Sequence, residues 1–464
     1  MSAMTNKADA FFAFVEELSR TGVEWLVLRN YEEIERLEGQ DVDLFLRAAD
    51  VPCAISTLIR AGKRFGGAVV HVYRRHHLIA VYVLFPEEPL PLHVDFYHGA
   101  FSWAGIEYVS HDQVLRSSSD YAGLPVPAPE HEAAVLLLAS LLDGGFVKKR
   151  YLSRVQNLLR SPKARNRFEN GLQAVFGEAA FQELRELTFG VVGHSSSEEF
   201  ALSRRLRRAL VFRRMRSSPR LTLISVIKFV FSEVRRFSDP SGPLVVITGP
   251  DGSGKSTVVA ANRERLSRWL GSAEVFHWRP GLLSDAGVVA GRRDRGGMEV
   301  HDDPHGKSSH GVILSAARLG YYLLDYWLGD LILVRRVRAR NRIVFFDRYA
   351  LDMEVDPRRF RFGLPVWMLR GVSSTVPAPN LVIALVAPGE VLVARKAEMS
   401  VEMARRLCGS YSTVVSQLKY GHVLDASLPP SVVAERVYQL VLGTMRRNAA
   451  ARLAKVGVED GGQL

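Results

Sequence analysis

Residues 244–257 read Leu-Val-Val-Ile-Thr-Gly-Pro-Asp-Gly-Ser-Gly-Lys-Ser-Thr. The stretch contains G-x-x-x-x-G-K-S from Gly249 to Ser256, and its flanks decide what that motif means. The apolar run 244–247 predicts a buried strand, and 256 to about 270 predicts a helix with Val258, Val259, Leu266 and Leu270 on or near one face. Strand, glycine loop and helix in that order form the setting in which this motif binds phosphate. The loop is Gly249, Pro250, Asp251, Gly252, Ser253 and Gly254, and its backbone N–H groups are expected to face one concavity and cradle phosphate oxygens. The helix N-terminus behind them adds partial positive charge. Lys255 is expected to reach the outer phosphates and Ser256 to ligand Mg²⁺, with Thr257 closing the nucleotide-binding set. A glycine-rich turn without a ligand is the plain alternative, and the four fixed positions with both flanks weigh against it.

A second apolar strand is expected at 342–346, running into Asp347-Arg348-Tyr349. Open parallel sheets bind ligands at the carboxyl ends of their strands, so a charged pair there is aimed at the site. Asp347 suits a Mg²⁺-bound water or the attacking oxygen of an acceptor. Arg348 suits a phosphate, because a planar guanidinium binds two oxygens at once. Taken alone, the pair could equally be a surface Asp-Arg at a strand end.

Two further strands are expected, at 379–386 and 423–425, the last before a helix 431–442. Between them Pro388-Gly389-Glu390 opens a helix that carries Arg395-Lys396, followed by Glu398, Arg405 and Arg406. This order resembles thymidylate kinase and its relatives over about 242–447. The residues that carry the resemblance are Asp251-Gly252 in the loop, the triplet 347–349, Arg395-Lys396, the closing Asp425-Ala426-Ser427, and Arg279-Pro280-Gly281. The last is similar to the family's Arg-Glu-Pro-Gly turn without its Glu. The resemblance implies ATP as donor and phosphoryl transfer to a small acceptor. It implies that Asp251 touches the acceptor sugar, that Arg348 and the turn residue Arg279 serve the acceptor, and that Arg395 closes a lid over the transferring group. Such a transfer needs positioning and positive charge more than covalent chemistry.

The chain departs from that family in the stretch 282–310 and in Asp356-Pro357-Arg358-Arg359, both where the acceptor is expected. Arg358 and Arg359 therefore join the acceptor-binding candidates, and the acceptor is expected to differ from dTMP in charge or shape. The Asp-Pro-Arg-Arg and Trp-Arg-Pro-Gly-Leu pieces are similar to those of proteins found among glycan and cell-surface biosynthesis enzymes. Within the stretch, His301-Asp302-Asp303-Pro304-His305 offers Zn²⁺ ligands. A polar loop of the same composition is the reading preferred.

A chain of 464 residues with 47% hydrophobic and 24% charged residues is expected to form two or three globular domains. Cys53 and Cys408 fall in different expected domains, which argues against a disulfide framework and for a cytoplasmic setting. The start of the chain does not read as a secretory signal, and no stretch is long enough to span a membrane. The net charge of +12 is concentrated: residues 203–237 hold ten Arg and Lys228 against Glu233, and so ten of the twelve net charges. Around Lys228 runs an apolar stretch, 221–231. An amphipathic basic helix lies on anionic membrane surfaces, which would make the protein peripheral at the inner face of the membrane. An interdomain helix with its apolar side packed on the kinase is the equal alternative. Nucleic acid is disfavoured, because no interleaved aromatic set accompanies the charge. A homodimer is left open.

In the first half, strands are expected at 25–28 and 41–46, the second carrying Asp41 and Asp43 at i and i+2, hence on one face. Asp95 lies on another expected strand, in Pro91-Leu92-His93-Val94-Asp95-Phe96. This pattern resembles the nucleotidyltransferase superfamily that includes DNA polymerase beta, and implies a second Mg²⁺ site at Asp41, Asp43 and Asp95. Where that superfamily has a small-residue turn, this chain has Leu28-Arg29-Asn30-Tyr31.

The expected architecture is α/β. A C-terminal P-loop parallel sheet flanked by helices (242–447, with a tail 448–464) follows an α+β nucleotidyltransferase-like domain (1–125), a helical appendage (126–200) and a basic linker helix (201–241). The expected activity is ATP- and Mg²⁺-dependent phosphoryl transfer to a nucleoside monophosphate or phosphorylated sugar-like metabolite. Nucleotidyl transfer at Asp41, Asp43 and Asp95 in surface-glycan biosynthesis, or a non-catalytic ATP-binding scaffold, are the alternatives.

Overall fold

The apolar runs of the sequence pair into two five-stranded sheets, one in each of two units. The computed structural model describes residues 6–34, 41–190, 195–283 and 311–458, so the stretch 284–310 with its His301–His305 cluster lies outside the described residues. The first unit comprises Met1–Arg235 with Ala449–Leu464, and the second Arg236–Asn448.

In the first unit β1 (Trp25–Val27), β2 (Asp41–Leu46), β3 (Ala68–Arg75), β4 (Leu78–Leu84) and β5 (Leu92–His98) lie in the order β1-β2-β5-β4-β3. Only β2 and β5 run parallel, which sets Asp43 opposite Asp95. Successive side chains of a strand face opposite ways. Leu44 and Leu46 accordingly enter one core with Phe11, Phe14 and Leu58 of the helices Asn6–Arg20 and Val51–Arg64. Phe45, between them, enters a second core built largely from the helices of 129–217. Two hairpins, β6 (Phe101–Trp103) with β7 (Ile106–Val109) and β8 (Ser118–Tyr121) with β9 (Leu124–Pro127), complete the unit's strands.

The second unit has β10 (Leu244–Thr248), β11 (Glu274–His277), β12 (Val344–Asp347), β13 (Leu381–Val386) and β14 (Gly421–Asp425) in the order β11-β12-β10-β13-β14, all parallel. β10 and β12 are buried throughout, as continuous apolar runs in a helix-flanked parallel sheet should be. The chain leaves β10 for one side of the sheet and takes up β13 on the other. The strand order therefore reverses at β10, and the crevice this opens lies at the carboxyl ends of the strands.

Two segments differ from their sequence reading. Residues 201–241 are not one linker helix: Ser196–Ser217 and Pro219–Ser238 are separate helices, broken where Ser218 leaves helical geometry ahead of Pro219. The first starts on a capping box formed by Ser195 and Glu198 and buries Leu202, Leu206 and Leu210 in the second core of its unit. The residues expected as a tail are core where they are described. The helix Pro430–Ala454 carries Val437, Val441, Met445, Ala449 and Leu453 at four-residue spacing, all at most 1% exposed. Ala449, Leu453 and Val458 belong to the first unit's core with Phe11 and Phe14. Leu453→Ala should therefore destabilise the first unit by about 2–5 kcal/mol, the usual cost of emptying a fully buried leucine site. A urea titration checks it: the first unit's transition should move to lower denaturant while the second unit's stays in place.

Candidate functional site

The loop after β10 needs its glycines. Gly249 has φ of 141°, and a Cβ there would stand 2.3 Å from the Leu385 carbonyl oxygen on the neighbouring strand. Gly252 (φ 79°) has the Leu392 carbonyl 2.7 Å from where its Cβ would be. Gly254 caps the helix Lys255–Leu270 in the left-handed region, φ 84°. A loop that tight leads its backbone directly into a helix N-terminus.

Lys255 is 7% exposed, and its Nζ donates to the Gly249 and Pro250 carbonyls at 3.0 and 2.9 Å. Burial, reinforced by the Arg348 charge, pushes its ammonium down to about 7 against the pull of Asp251, Asp347 and Asp352. Ser256 Oγ donates to Asp347 Oδ2 at 3.0 Å across the gap between the helix and the end of β12. Asp347 Oδ1 is buried and has no hydrogen-bond partner. A hydroxyl and an unmatched carboxylate oxygen side by side are hard oxygen donors of the kind Mg²⁺ takes, with the remaining positions left to water and phosphate.

Arg348 holds a cluster together. It is 3% exposed, and its guanidinium reaches Asp251 in the loop, Asp352 Oδ1 at 3.2 Å and Tyr411 Oη at 3.2 Å. Asp352 is fully buried and accepts from Thr248 Oγ1 (2.9 Å), the Tyr349 N–H (2.9 Å) and Tyr411 Oη (2.7 Å). Arg348 itself sits at φ 74°, where non-glycine residues are rare. Its N–H is bonded to the Ile247 carbonyl at 2.9 Å. Arg359 also pairs with Asp251, and Lys255 Nζ lies 3.9 Å from the same carboxylate. Burial would raise the Asp251 carboxyl, yet Arg348, Arg359 and Lys255 hold it well below the usual carboxylate range.

The other sequence candidates are placed as follows. Arg279 pairs with the fully buried Asp325 at 2.9 Å, and Asp325 also accepts the Gly281 and Leu283 N–H groups. Arg279 thus anchors its turn to the helix Val312–Gly329. Arg358 is exposed and lines a cavity of about 640 Å³ with Glu354, Arg370 and Arg406. Arg395 is exposed at the end of the helix Gly389–Arg395 and donates to the Ala426 carbonyl at 2.7 Å. Sequence reasoning gave no role to Thr248, Asp325, Asp352 or Tyr411. Only Asp352, five residues past the strand-end Asp347, carried any signal.

In the first unit, Asp41, Asp43 and Asp95 offer oxygens within 4.8 Å of one another. Asp43 is fully buried and paired with Arg29, and its Oδ1 has no partner. Burial pushes the Asp43 carboxyl up to about 7; Arg29 opposes the shift, while Asp41 and Asp95 add to it. His93 Nε2 lies 2.8 Å from Asp95 Oδ1. The chain's own guanidinium therefore already lies against the central carboxylate of the cluster.

Among solved structures, a thymidylate kinase from Ehrlichia chaffeensis is similar to this chain at 16% identity, covering 44% of this chain and 99% of that one with a TM-score of 0.31. A likeness at that level establishes no function. No family model and no curated protein matches the chain.

Removing Asp352 should leave a buried guanidinium short of a counter-charge. Asp352→Ala is expected to cost about 3–5 kcal/mol, the range for breaking a buried pair from one side. Asp352→Asn, which keeps the shape and part of the hydrogen bonding, should cost less. Urea unfolding of the two variants gives the ordering.

Proposed function

We propose that the second unit is an ATP- and Mg²⁺-dependent kinase that passes a phosphoryl group to a small phosphate-bearing acceptor, a nucleoside monophosphate or phosphorylated sugar-like metabolite. The observation that carries this reading is the Ser256–Asp347 hydrogen bond with the unmatched Asp347 Oδ1 beside it, at the carboxyl ends of adjacent strands and next to a loop with no room for a Cβ at Gly249. Mg²⁺ held by Ser256 and Asp347 would neutralise charge on the donor's phosphate oxygens. The loop N–H groups of Gly252, Ser253, Gly254 and Lys255 bind the phosphates, and Ser256 with Thr257 lies in the first turn of the helix whose N-terminus faces them. Lys255 exchanges its two carbonyl partners for phosphate oxygens. Arg348 and Arg359, both on Asp251, present two guanidinium forks to the acceptor side, and Arg358 and Arg406 line the neighbouring cavity. Arg395 and Lys396, at the end of the helix Gly389–Arg395, would serve as the lid cations that the resemblance implies.

Nucleotidyl transfer at Asp41, Asp43 and Asp95 is the second reading, favoured by the clustered carboxylates and opposed by Arg29 on Asp43.

Lys255→Ala should reduce ATP-dependent turnover by orders of magnitude while the protein stays folded, and unchanged ATP consumption would sink the assignment. Arg348→Lys keeps the charge and loses the fork, so it should remain strongly impaired. If dTMP turned over at the roughly 1–100 per second usual for such kinases, the acceptor would be dTMP itself and the additional arginines would need another role.

The depressed Lys255 adds a pH signature. In the free protein its amine is neutral above about 7. A bound triphosphate favours the ammonium, so binding above that pH must take up a proton, and affinity must fall as pH rises. Calorimetric ATP titrations about one unit above this pH, in two buffers of different ionisation enthalpy, should show net proton uptake. The uptake should vanish in Lys255→Ala.

A further inference from the structure

The helix Pro219–Ser238 has two faces with opposite fates. Its inner face is committed to the first unit. Thr222 is buried and donates to the Arg214 and Ser218 carbonyls at 3.1 and 2.9 Å. Gly105 lies so close that a Cβ on it would stand 2.5 Å from the Ser225 carbonyl oxygen and 2.9 Å from Phe229 Cβ. His76 meets Phe229 edge-on at 5.6 Å. These contacts fix the rotation of the helix about its axis, so what faces outward is set by the fold.

What faces outward is apolar. Leu223, Ile224, Ile227, Val230, Phe231 and Val234 are all exposed, Phe231 to 71%, and Leu221 stands beside them at 67%. At 3.6 residues per turn the first six fall within an arc of about 120°. Phe212 and Met215, on the preceding helix, are exposed as well. Arg220 lies at the start of the apolar arc, and Lys228 and Arg235 border it on one side, all exposed. A contiguous exposed apolar face with cations along one edge calls for a partner.

We propose that this outer face docks on an anionic lipid surface, with the helix lying in the plane of the headgroups. Charge selects the occupant. Residues 203–237 carry ten of the chain's twelve net positive charges, so a second copy would bring two strongly positive faces together, whereas an anionic leaflet neutralises them. Among the described residues no helix is long and apolar enough to cross a membrane, which leaves the interfacial mode. The basic residues of the preceding helix contribute less freely. Arg205 pairs with Glu183, and Arg207 Nε donates to the Leu142 carbonyl at 3.0 Å. The charges that matter most are those on the outer helix.

The test uses the full chain in vesicle sedimentation, with phosphatidylcholine vesicles compared against vesicles of phosphatidylcholine and phosphatidylglycerol. Pelleting is expected with the second only, and should weaken as salt shortens the screening length. Replacing Arg220, Lys228 and Arg235 together by Gln should weaken binding about a hundredfold, at about fivefold per charge near such a surface. Replacing Leu223, Ile227 and Phe231 together by Ser should abolish it. These side chains are exposed, so both variants should melt at the parent temperature, which separates lost binding from lost folding. Pelleting with neither lipid, equal pelleting with both, or pelleting indifferent to the apolar triple substitution would each overturn the proposal. So would a dimer on size-exclusion chromatography that the apolar substitution turns into a monomer, since that assigns the face to a second copy. None of these outcomes depends on kinase activity, so this proposal and the kinase reading can fail separately.

Discussion

A guanidinium cannot be buried without carboxylates to meet it, and the second unit is organised around one that is. Arg348 follows directly on β12, at 3% exposure and in a backbone conformation that an arginine rarely adopts. Its partners come from three places: Asp251 in the glycine loop, Asp352 at the start of the short helix Asp352–Val355 after the strand, and Tyr411 on the helix Val401–Ser416. Asp352 in turn takes the hydroxyl of Thr248, at the end of β10. Desolvating so many charges costs several kcal/mol for each ion, and only a complete set of hydrogen bonds offsets that cost. The completeness is what locks the loop, the strand ends and the helix into one register.

The same network leaves the site closed on itself before any ligand enters. Lys255 spends its hydrogen bonds on two carbonyls of its own loop, and Asp251 is shared between Arg348 and Arg359. A phosphate could take the place of these partners on the cations, and a displaced Asp251 carboxylate would then need another partner of its own. A site built this way is preorganised without being empty: the positive groups are already gathered, and their geometry is held by the partners a ligand would displace. The lowered affinity of Lys255 for its proton has the same origin: burial strips its ammonium of water, and the Arg348 charge lies close by.

How much of this was legible in the sequence depended on whether a feature was local. The glycine loop, its strand and its helix were readable because motif and periodicity sit side by side; β12 and β13 declared themselves as apolar runs, and β12 and β14 each end on an aspartate. The partners of Arg348 were not readable, because Tyr411 and Asp251 lie 63 and 97 residues away from it. Arg279 was legible as a turn residue but not as the partner of Asp325, which is 46 residues distant. The continuation of the last helix was in the sequence all along as a four-residue apolar spacing through Ala449 and Leu453; charge at Arg446, Arg447 and Arg452 masked it, because long basic side chains can leave a buried stripe without interrupting it. The two-faced helix 219–238 needed the structure, since a hydrophobic stripe in sequence does not say whether a neighbour covers it.

The two units solve one electrostatic problem in opposite ways. Each carries an aspartate on a sheet strand, at the end of β12 and within β2, and each leaves one oxygen of that aspartate buried without a partner. In the second unit the neighbour of Asp347 is a serine hydroxyl, which is neutral and can turn its lone pairs toward a cation. In the first unit the neighbour of Asp43 is Arg29, a permanent cation five hydrogen-bond donors wide, pressed against the carboxylate from the place where the nucleotidyltransferase resemblance expects a small-residue turn. A divalent ion approaching Asp41, Asp43 and Asp95 must displace or tolerate that guanidinium, at a cost set by how far Asp43 is already neutralised. An ion approaching Asp347 meets the Ser256 hydroxyl at 3.0 Å from the carboxylate and His277 Nδ1 at 3.8 Å. The difference rests on one residue in each unit. It is the physical ground on which the kinase reading is proposed for the second unit, while in the first the chain's own guanidinium lies against the central carboxylate.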